Sequence, residues 1–371
     1  MKILIFNWRD IKNPEHGGAE VFTHEVFKRI AKMGHEVTIF SSEFKGCKKE
    51  EFIDSIRIIR SGGRYSVYIN ARKYYNNFFS KESYDVIIDE INTLPFFTPS
   101  FAKKGEHIIA LIHQLAREYW FYETFFPINF IGYHILENSI LKKYVEIPTV
   151  TVSNSTKNDL LNLGFKNVFI VSEGISFHPL RKIPDKSEKP TIIYLGRLKK
   201  AKRVEHVIKA FNIVEKKIPK AKLWIVGSGY LRSHLEKISN KRVTFFGHVN
   251  EKKKIDLLSK AWILINPSIR EGWGINVIEA NACGTPCIAY DVPGLRDSIV
   301  DGKTGLLVKE NGNIEALANA IIKVLEDEKL RNKLSINALK WARRFSWDKS
   351  AKEFEKIIKM VSKGNIQKPL P

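Results

Sequence analysis

The sequence predicts an α/β protein made of two doubly wound domains, and three observations predict it. Short apolar runs suited to strands alternate along the chain with segments of helical period, the signature of parallel βαβ units. Glycine-containing turns follow several of those runs, where sheets of this kind bind ligands. At 371 residues the chain also exceeds what one hydrophobic core ordinarily organises.

Taken in order, residues 2–6 read as a buried strand and 13–20 as a turn. An amphipathic helix over 21–33 follows, closed by Gly34, and then a strand over 36–40. Apolar runs at 55–60, 84–88 and 107–112 extend the sheet, and His113 stands directly after the last. A strand at 149–152, a Ser153-Asn154-Ser155 cap, a helix over 156–163 and a strand at 168–171 complete the first domain. The Pro- and charge-rich stretch 178–190 marks the boundary. Beyond it a strand over 191–195 delivers Gly196 and Arg197, and Lys202 stands where a helix begins that runs through Phe211. Strands at 223–226 and 243–246 end in Gly227-Ser228-Gly229 and Gly247-His248. A strand over 302–308, two helices through Arg344 and an amphipathic helix over 347–362 end the pattern. The expected limits are 1–178 and 179–345 for the domains, 346–363 for a last helix and 364–371 for a flexible tail.

The second domain is organised around residues 266–290. A strand at 261–265 is closed by Pro267, Gly272 and Gly274 permit close backbone approach, a helix runs over 274–282, and a strand follows at 286–290. The loop therefore lies at a strand's carboxyl end and a helix's amino end, where anions bind. Capping accounts for Glu271 alone. It does not account for Glu279, set among Ile275, Val277, Ile278, Ala280 and Ala282. Two carboxylates eight positions apart around a Gly-Trp-Gly turn suit a ligand that carries hydroxyls beside phosphates.

Charge and cysteines narrow the class. The formal net charge is +21, and residues 179–371 hold 39 of the 61 basic side chains but 20 of the 40 acidic ones, leaving +2 for residues 1–178. The excess is spread over helices and no nucleic-acid-binding signature accompanies it, so no nucleic-acid partner is expected; the surface suits anionic metabolites or an anionic membrane. No apolar run reaches bilayer length, and residues 1–6 are too short for an export signal. Cys47, Cys283 and Cys287 form no Cys-x-x-Cys, which fits a reduced, cytoplasmic compartment. Gly17-Gly18 lacks the Gly-x-Gly-x-x-Gly spacing, excluding a nicotinamide-dependent dehydrogenase or epimerase. Eight of the fifteen residues 119–133 are aromatic, and residues 64–81 mix aromatic with basic side chains. Packing between helices accounts for most of these; the functional alternative is a first-domain surface that touches a membrane or a lipid-linked acceptor.

Glu271-x7-Glu279, with Asn-Pro-Ser before it, Gly-Trp-Gly inside it and Ala-Cys-Gly-Thr-Pro after it, resembles the signature of the GT-B-type retaining glycosyltransferases of family four. The resemblance extends over nearly the whole chain. It implies two Rossmann-like domains facing a central cleft, with the last helix crossing back to the first domain. It implies a nucleotide diphosphate sugar as co-substrate and retention at the anomeric carbon; the aromatic, basic first domain points to a glycan or lipid-linked acceptor in cell-envelope polysaccharide or glycoconjugate synthesis. By the same resemblance Arg197 and Lys202 grip the donor diphosphate, Glu271 holds sugar hydroxyls, Glu279 holds the ribose, and His113 faces the donor sugar. Gly17 and Gly18 line the phosphate and acceptor side, Gly247 and His248 the base; Gly196, Gly272, Trp273 and Gly274 complete the donor-binding set. No cofactor is implied, and without an Asp-x-Asp loop no metal is expected at the diphosphate. Arg203 stands where the family has a glycine, and Glu173 and Ser176 depart from its usual Asn-Gly-Val-Asp turn. A catalytically silent nucleotide-sugar-binding subunit is the alternative, against which the intact pairs Arg197/Lys202 and Glu271/Glu279 stand.

Overall fold

The computed structural model describes residues 1–364, which divide into two compact α/β units. The first comprises residues 1–117, 130–174 and 346–364; the second comprises 118–129 and 175–345. All but Gly364 of the expected tail lies outside the described residues.

In the first unit the strands are β1 (Lys2–Phe6), β2 (Glu36–Ser41), β3 (Glu50–Ile53), β4 (Ile56–Arg60), β5 (Val86–Glu90), β6 (His107–Leu111), β7 (Thr149–Thr151) and β8 (Val168–Ile170). Their order across the sheet is β3-β4-β2-β1-β5-β6-β7-β8. All pairings are parallel except β3 with β4. The winding reverses between β1 and β5, and at such a reversal an α/β sheet opens a crevice beyond its carboxyl ends. The inner strands read as apolar runs because both faces are covered: Ile3, Leu4, Ile5 and Phe6 are fully buried. The helix Gly18–Lys32 and the helix Trp347–Ser362 pack together in this unit, Phe27 edge-on to Phe354 at 5.1 Å.

In the second unit β9 (Thr191–Leu195), β10 (Lys222–Val226), β11 (Val243–Gly247), β12 (Ile263–Asn266), β13 (Cys287–Tyr290) and β14 (Gly305–Val308) lie in the order β11-β10-β9-β12-β13-β14, all parallel. Here the winding reverses between β9 and β12.

Residues 118–129 correct an expectation. Their aromatic run reads in the sequence as part of the first domain, but the helix Tyr119–Glu123 belongs to the second unit. Polar contacts hold it there. Arg270 Nε donates to Glu118 Oε2 at 2.8 Å, Tyr119 donates to the Arg270 carbonyl at 3.2 Å, and the Ala201 amide donates to Glu123 at 3.1 Å. Arg203 completes the set by donating to the Tyr122 hydroxyl at 2.7 Å. Helical periodicity cannot show where such side-chain partners lie.

Candidate functional site

At the β9/β12 reversal two loops bring together most of the residues singled out in the second domain. The first loop leaves β9 at Gly196, whose amide donates to the Val226 carbonyl at 3.0 Å. A side chain on Gly227 could not be accommodated beside it, since a Cβ there would lie 1.9 Å from the Gly196 carbonyl oxygen. Buried Tyr194 donates to the Arg197 carbonyl at 2.9 Å. The backbone at Arg197 is thus held, while its guanidinium is exposed and makes no ion pair among the described residues. Lys202 ends a short 3-10 turn, Lys200–Lys202, and its Nζ lies 2.6 Å from Glu271 Oε1. Burial disfavours the Lys202 charge, but Glu271 and Tyr119 together more than offset it and raise the lysine pKa. Arg203, the departure from the family's glycine, adopts φ +47, the left-handed conformation that makes glycine natural there. Its guanidinium is anchored on Tyr122 and on Asn311, the latter at 2.6 Å.

The second loop leaves β12 at Asn266. Asn266 Oδ1 accepts from the Ser268 amide at 3.1 Å, and Ser268 Oγ donates to Glu271 Oε1 at 2.7 Å. The same Glu271 oxygen thus meets both Ser268 and Lys202. The Glu271 amide donates to the Pro293 carbonyl at 3.0 Å. Gly272 carries the chain to Trp273 and then to Gly274, which takes φ +102 and caps the helix Ile275–Ala282. In the first turn of that helix Asn276 Nδ2 donates to the Leu195 carbonyl at 2.7 Å, tying the two loops together. Glu279, a turn further on, is buried, and Lys254 Nζ lies 2.6 Å from its Oε1. Burial pushes the Glu279 pKa up, and Lys254 pulls against that push. Lys254 comes from the helix Glu251–Lys260.

Trp273 is 6 % exposed and packs edge-on against Phe345 at 5.3 Å, and its indole Nε1 is buried without a hydrogen-bond partner among the described residues. Gly247 and the exposed His248 end the edge strand β11, and the Gly247 carbonyl accepts from the Gly227 amide at 2.8 Å.

Gly17, Gly18 and His113 lie in the first unit, beyond the carboxyl ends of β1 and β6. Gly17 caps the helix Gly18–Lys32, and buried Glu20 reaches back to accept from its amide at 2.6 Å while also meeting Arg9 Nε at 3.0 Å. His113 Nε2 is 3.4 Å from Glu90 Oε1, and neither ring nitrogen makes a hydrogen bond among the described residues. The imidazole is buried against Phe22, with ring centroids 5.0 Å apart. Burial also pushes the Glu90 carboxyl up, and Thr23 Oγ1 donates to its other oxygen at 2.6 Å.

Lys254, Ser268, Asn276 and Glu20 were not anticipated. Lys254 carried a readable signal, because it lies three and four positions before buried Leu257 and Leu258, on the apolar stripe of its helix. Ser268 and Asn276 carried none beyond their place beside the glycine turn. Among the described residues no group of three or more His, Cys, Asp or Glu side chains could hold a metal ion, and no helix is long and apolar enough to cross a membrane.

Two doubly wound sheets, each with its own winding reversal, define an α/β protein of the GT-B type. The group 1 glycosyl transferase model matches residues 178–341 and the glycosyltransferase family 4 model matches 16–178, so the chain belongs to this glycosyltransferase family. An uncharacterized glycosyltransferase of Methanocaldococcus jannaschii, MJ1069, is 28% identical over 97% of this chain and 99% of its own length. The poly(glycerol-phosphate) alpha-glucosyltransferase of Bacillus subtilis is 35% identical over 43% of this chain, which spans 24% of that protein. Among solved structures, sucrose-phosphate synthase of Thermosynechococcus elongatus superposes with a TM-score of 0.83 at 20% identity, covering 98% of this chain and 99% of its own. That likeness shows the fold.

Proposed function

We propose that the chain transfers a sugar, as a hexosyltransferase, from a nucleotide diphosphate donor to a glycan or lipid-linked acceptor, with retention at the anomeric carbon. The observation that carries this reading is the convergence of exposed, unpaired Arg197 with Lys202 and Glu271 at the β9/β12 reversal, with Glu279 in the helix behind. The demanding step is departure of the nucleoside diphosphate, which moves charge onto its β-phosphate. Arg197 and Lys202 supply cations for that charge, and the loop amides around Gly272–Gly274 supply dipoles. Glu271 and Glu279 are carboxylate acceptors suited to sugar and ribose hydroxyls. His113, buried with Nδ1 lacking a hydrogen-bond partner and Nε2 facing Glu90 at 3.4 Å, is suited to a sugar hydroxyl in its own unit.

Cell-envelope polysaccharide synthesis at the cytoplasmic face of a membrane is the proposed setting. The name of the Bacillus subtilis relative supports an anionic, phosphate-containing acceptor class. Exposed apolar side chains support membrane contact: Phe125 and Phe126 in the second unit, and Phe130, Ile131 and Ile135 in the first. A thermal-shift screen against nucleotide sugars tests the donor assignment, because a ligand that binds only the folded state raises its stability. A chain that no nucleotide sugar stabilises would not be a transferase of this kind. With cations at the diphosphate, transfer is expected to persist in a chelator; its abolition would return the leaving-group role to a metal.

A further inference from the structure

A second cationic site lies at the other end of the second unit's sheet. The strands β9, β10 and β11 start side by side: the Lys222 amide donates to the Pro190 carbonyl at 2.9 Å, and the Leu223 amide to the Arg242 carbonyl at 3.1 Å. Parallel register pairs Thr191 with Lys222 and Trp224 with Thr244. Side chains alternate along a strand, so Lys222 and Trp224 share one face. Around them a pocket of about 480 Å³ is walled by Lys189, Lys220, Lys222, Lys241 and Arg242, with Trp224 as its apolar side. Trp224 is half-buried, edge-on to Phe246 at 5.8 Å, and Thr244 opposite it is exposed, so this corner of the sheet is open.

Five cations converge here, and only Arg242 meets a carboxylate, Glu215 at 3.8 Å, among the described residues. By contrast, surface Lys253 and Lys260 share the Asp256 carboxylate. Like charges gathered in a concavity without counter-ions raise the local positive potential, and a concave wall focuses it. The strand starts lie roughly 15 Å, one five-residue strand length, from the carboxyl ends that carry Arg197 and Glu271. This pocket is therefore separate from the transferase site and does not depend on which sugar is transferred.

We propose that this pocket binds a phosphate-bearing anion, with the lysines and Arg242 on the phosphoryl oxygens and the Trp224 ring against the adjoining carbon skeleton. Arginine forks and lysine point charges both suit phosphate, and a half-buried aromatic beside them adds apolar contact. A soluble phosphoester and the headgroup of an anionic phospholipid share this chemistry. The test uses the full chain with two probes. Inorganic pyrophosphate is titrated at low salt against tryptophan emission, and vesicles of phosphatidylglycerol are compared with phosphatidylcholine by co-sedimentation. Lys222→Glu/Lys241→Glu is expected to weaken whichever probe binds by at least about tenfold, and the affinity should fall with salt as counter-ions compete. Trp224→Phe should remove the pocket's share of the emission change, whereas Arg197→Ala should leave that share intact. Loss of pyrophosphate binding in the double variant identifies a soluble phosphoester; loss of sedimentation with phosphatidylglycerol identifies a headgroup. If the wild type binds neither probe, or the double variant binds both as the wild type does, the proposal is overturned. All the substituted lysines are exposed, so folding is preserved in the test.

Discussion

The Lys202–Glu271 pair offers a prediction that separates stability from turnover. Both side chains are nearly buried, 13% and 15% exposed, with Nζ 2.6 Å from Oε1. In Lys202→Ala the Glu271 carboxylate keeps Ser268 but loses its counter-charge. Breaking a fully buried pair costs about 3–5 kcal/mol, and an exposed one costs at most about 1 kcal/mol. With the residual exposure and the Ser268 bond, about 2 kcal/mol is expected here. In Lys202→Ala/Glu271→Gln no carboxylate is left unpaired, so the double variant should be destabilised by less than the sum of the singles, with a coupling of about 1 kcal/mol. The Lys202 pKa is raised above the ordinary lysine value of 10.5, against burial, chiefly by Glu271 with Tyr119. The pair's contribution is therefore fully present below that value and is lost as pH rises through the folded-state pKa. Denaturant unfolding of the four proteins at neutral pH, repeated at alkaline pH, measures both effects. Strict additivity at neutral pH would refute the coupling, and an undiminished coupling at alkaline pH would refute its electrostatic origin.

Arg197→Ala should lower turnover by about a hundredfold, the effect of removing one well-aimed donor of about 3 kcal/mol. Its thermal midpoint should stay unchanged, because the guanidinium is exposed and unpaired; near-normal turnover would remove Arg197 from the leaving-group role. Arg60 is fully buried and grips both oxygens of Asp10, at 2.6 and 2.8 Å. Arg60→Ala should therefore cost the first unit about 3–5 kcal/mol in denaturant unfolding, whereas a loss below ~1 kcal/mol would mean that water replaces the guanidinium. Gly227→Ala would place a Cβ 1.9 Å from the Gly196 carbonyl oxygen. It should cost about 1–3 kcal/mol or more and lower turnover by shifting Arg197, and a crystal structure of the variant with Gly196 unmoved would contradict that coupling.

Much of the architecture was legible because parallel strands covered on both faces must be apolar along their length. The runs at 2–6 and 191–195 and the helix over 347–362 coincide with the observed elements. Strand β3 escaped notice because Glu50-Glu51-Phe52-Ile53 lies at a sheet edge with no buried residue, so its sequence carries no apolar run. Glycines 227 and 274 announced themselves, since a close backbone approach and a positive φ each restrict what can stand there. That Arg197 and Glu271 follow strands, and that Glu279 interrupts an otherwise apolar or small-residue helix, was legible in the sequence.

What the sequence determined by itself was the alternation of elements and the two sheets, because burial period is a local property. Tertiary structure alone decided the partners: Lys254 against Glu279, 25 residues away, Ser268 and Lys202 on one oxygen of Glu271, and the helix 119–123 anchored on the second unit. The reason is physical. A charged side chain on a helix looks alike in sequence whether it meets water or a carboxylate, and only the winding of the sheet determines which strand ends lie next to one another.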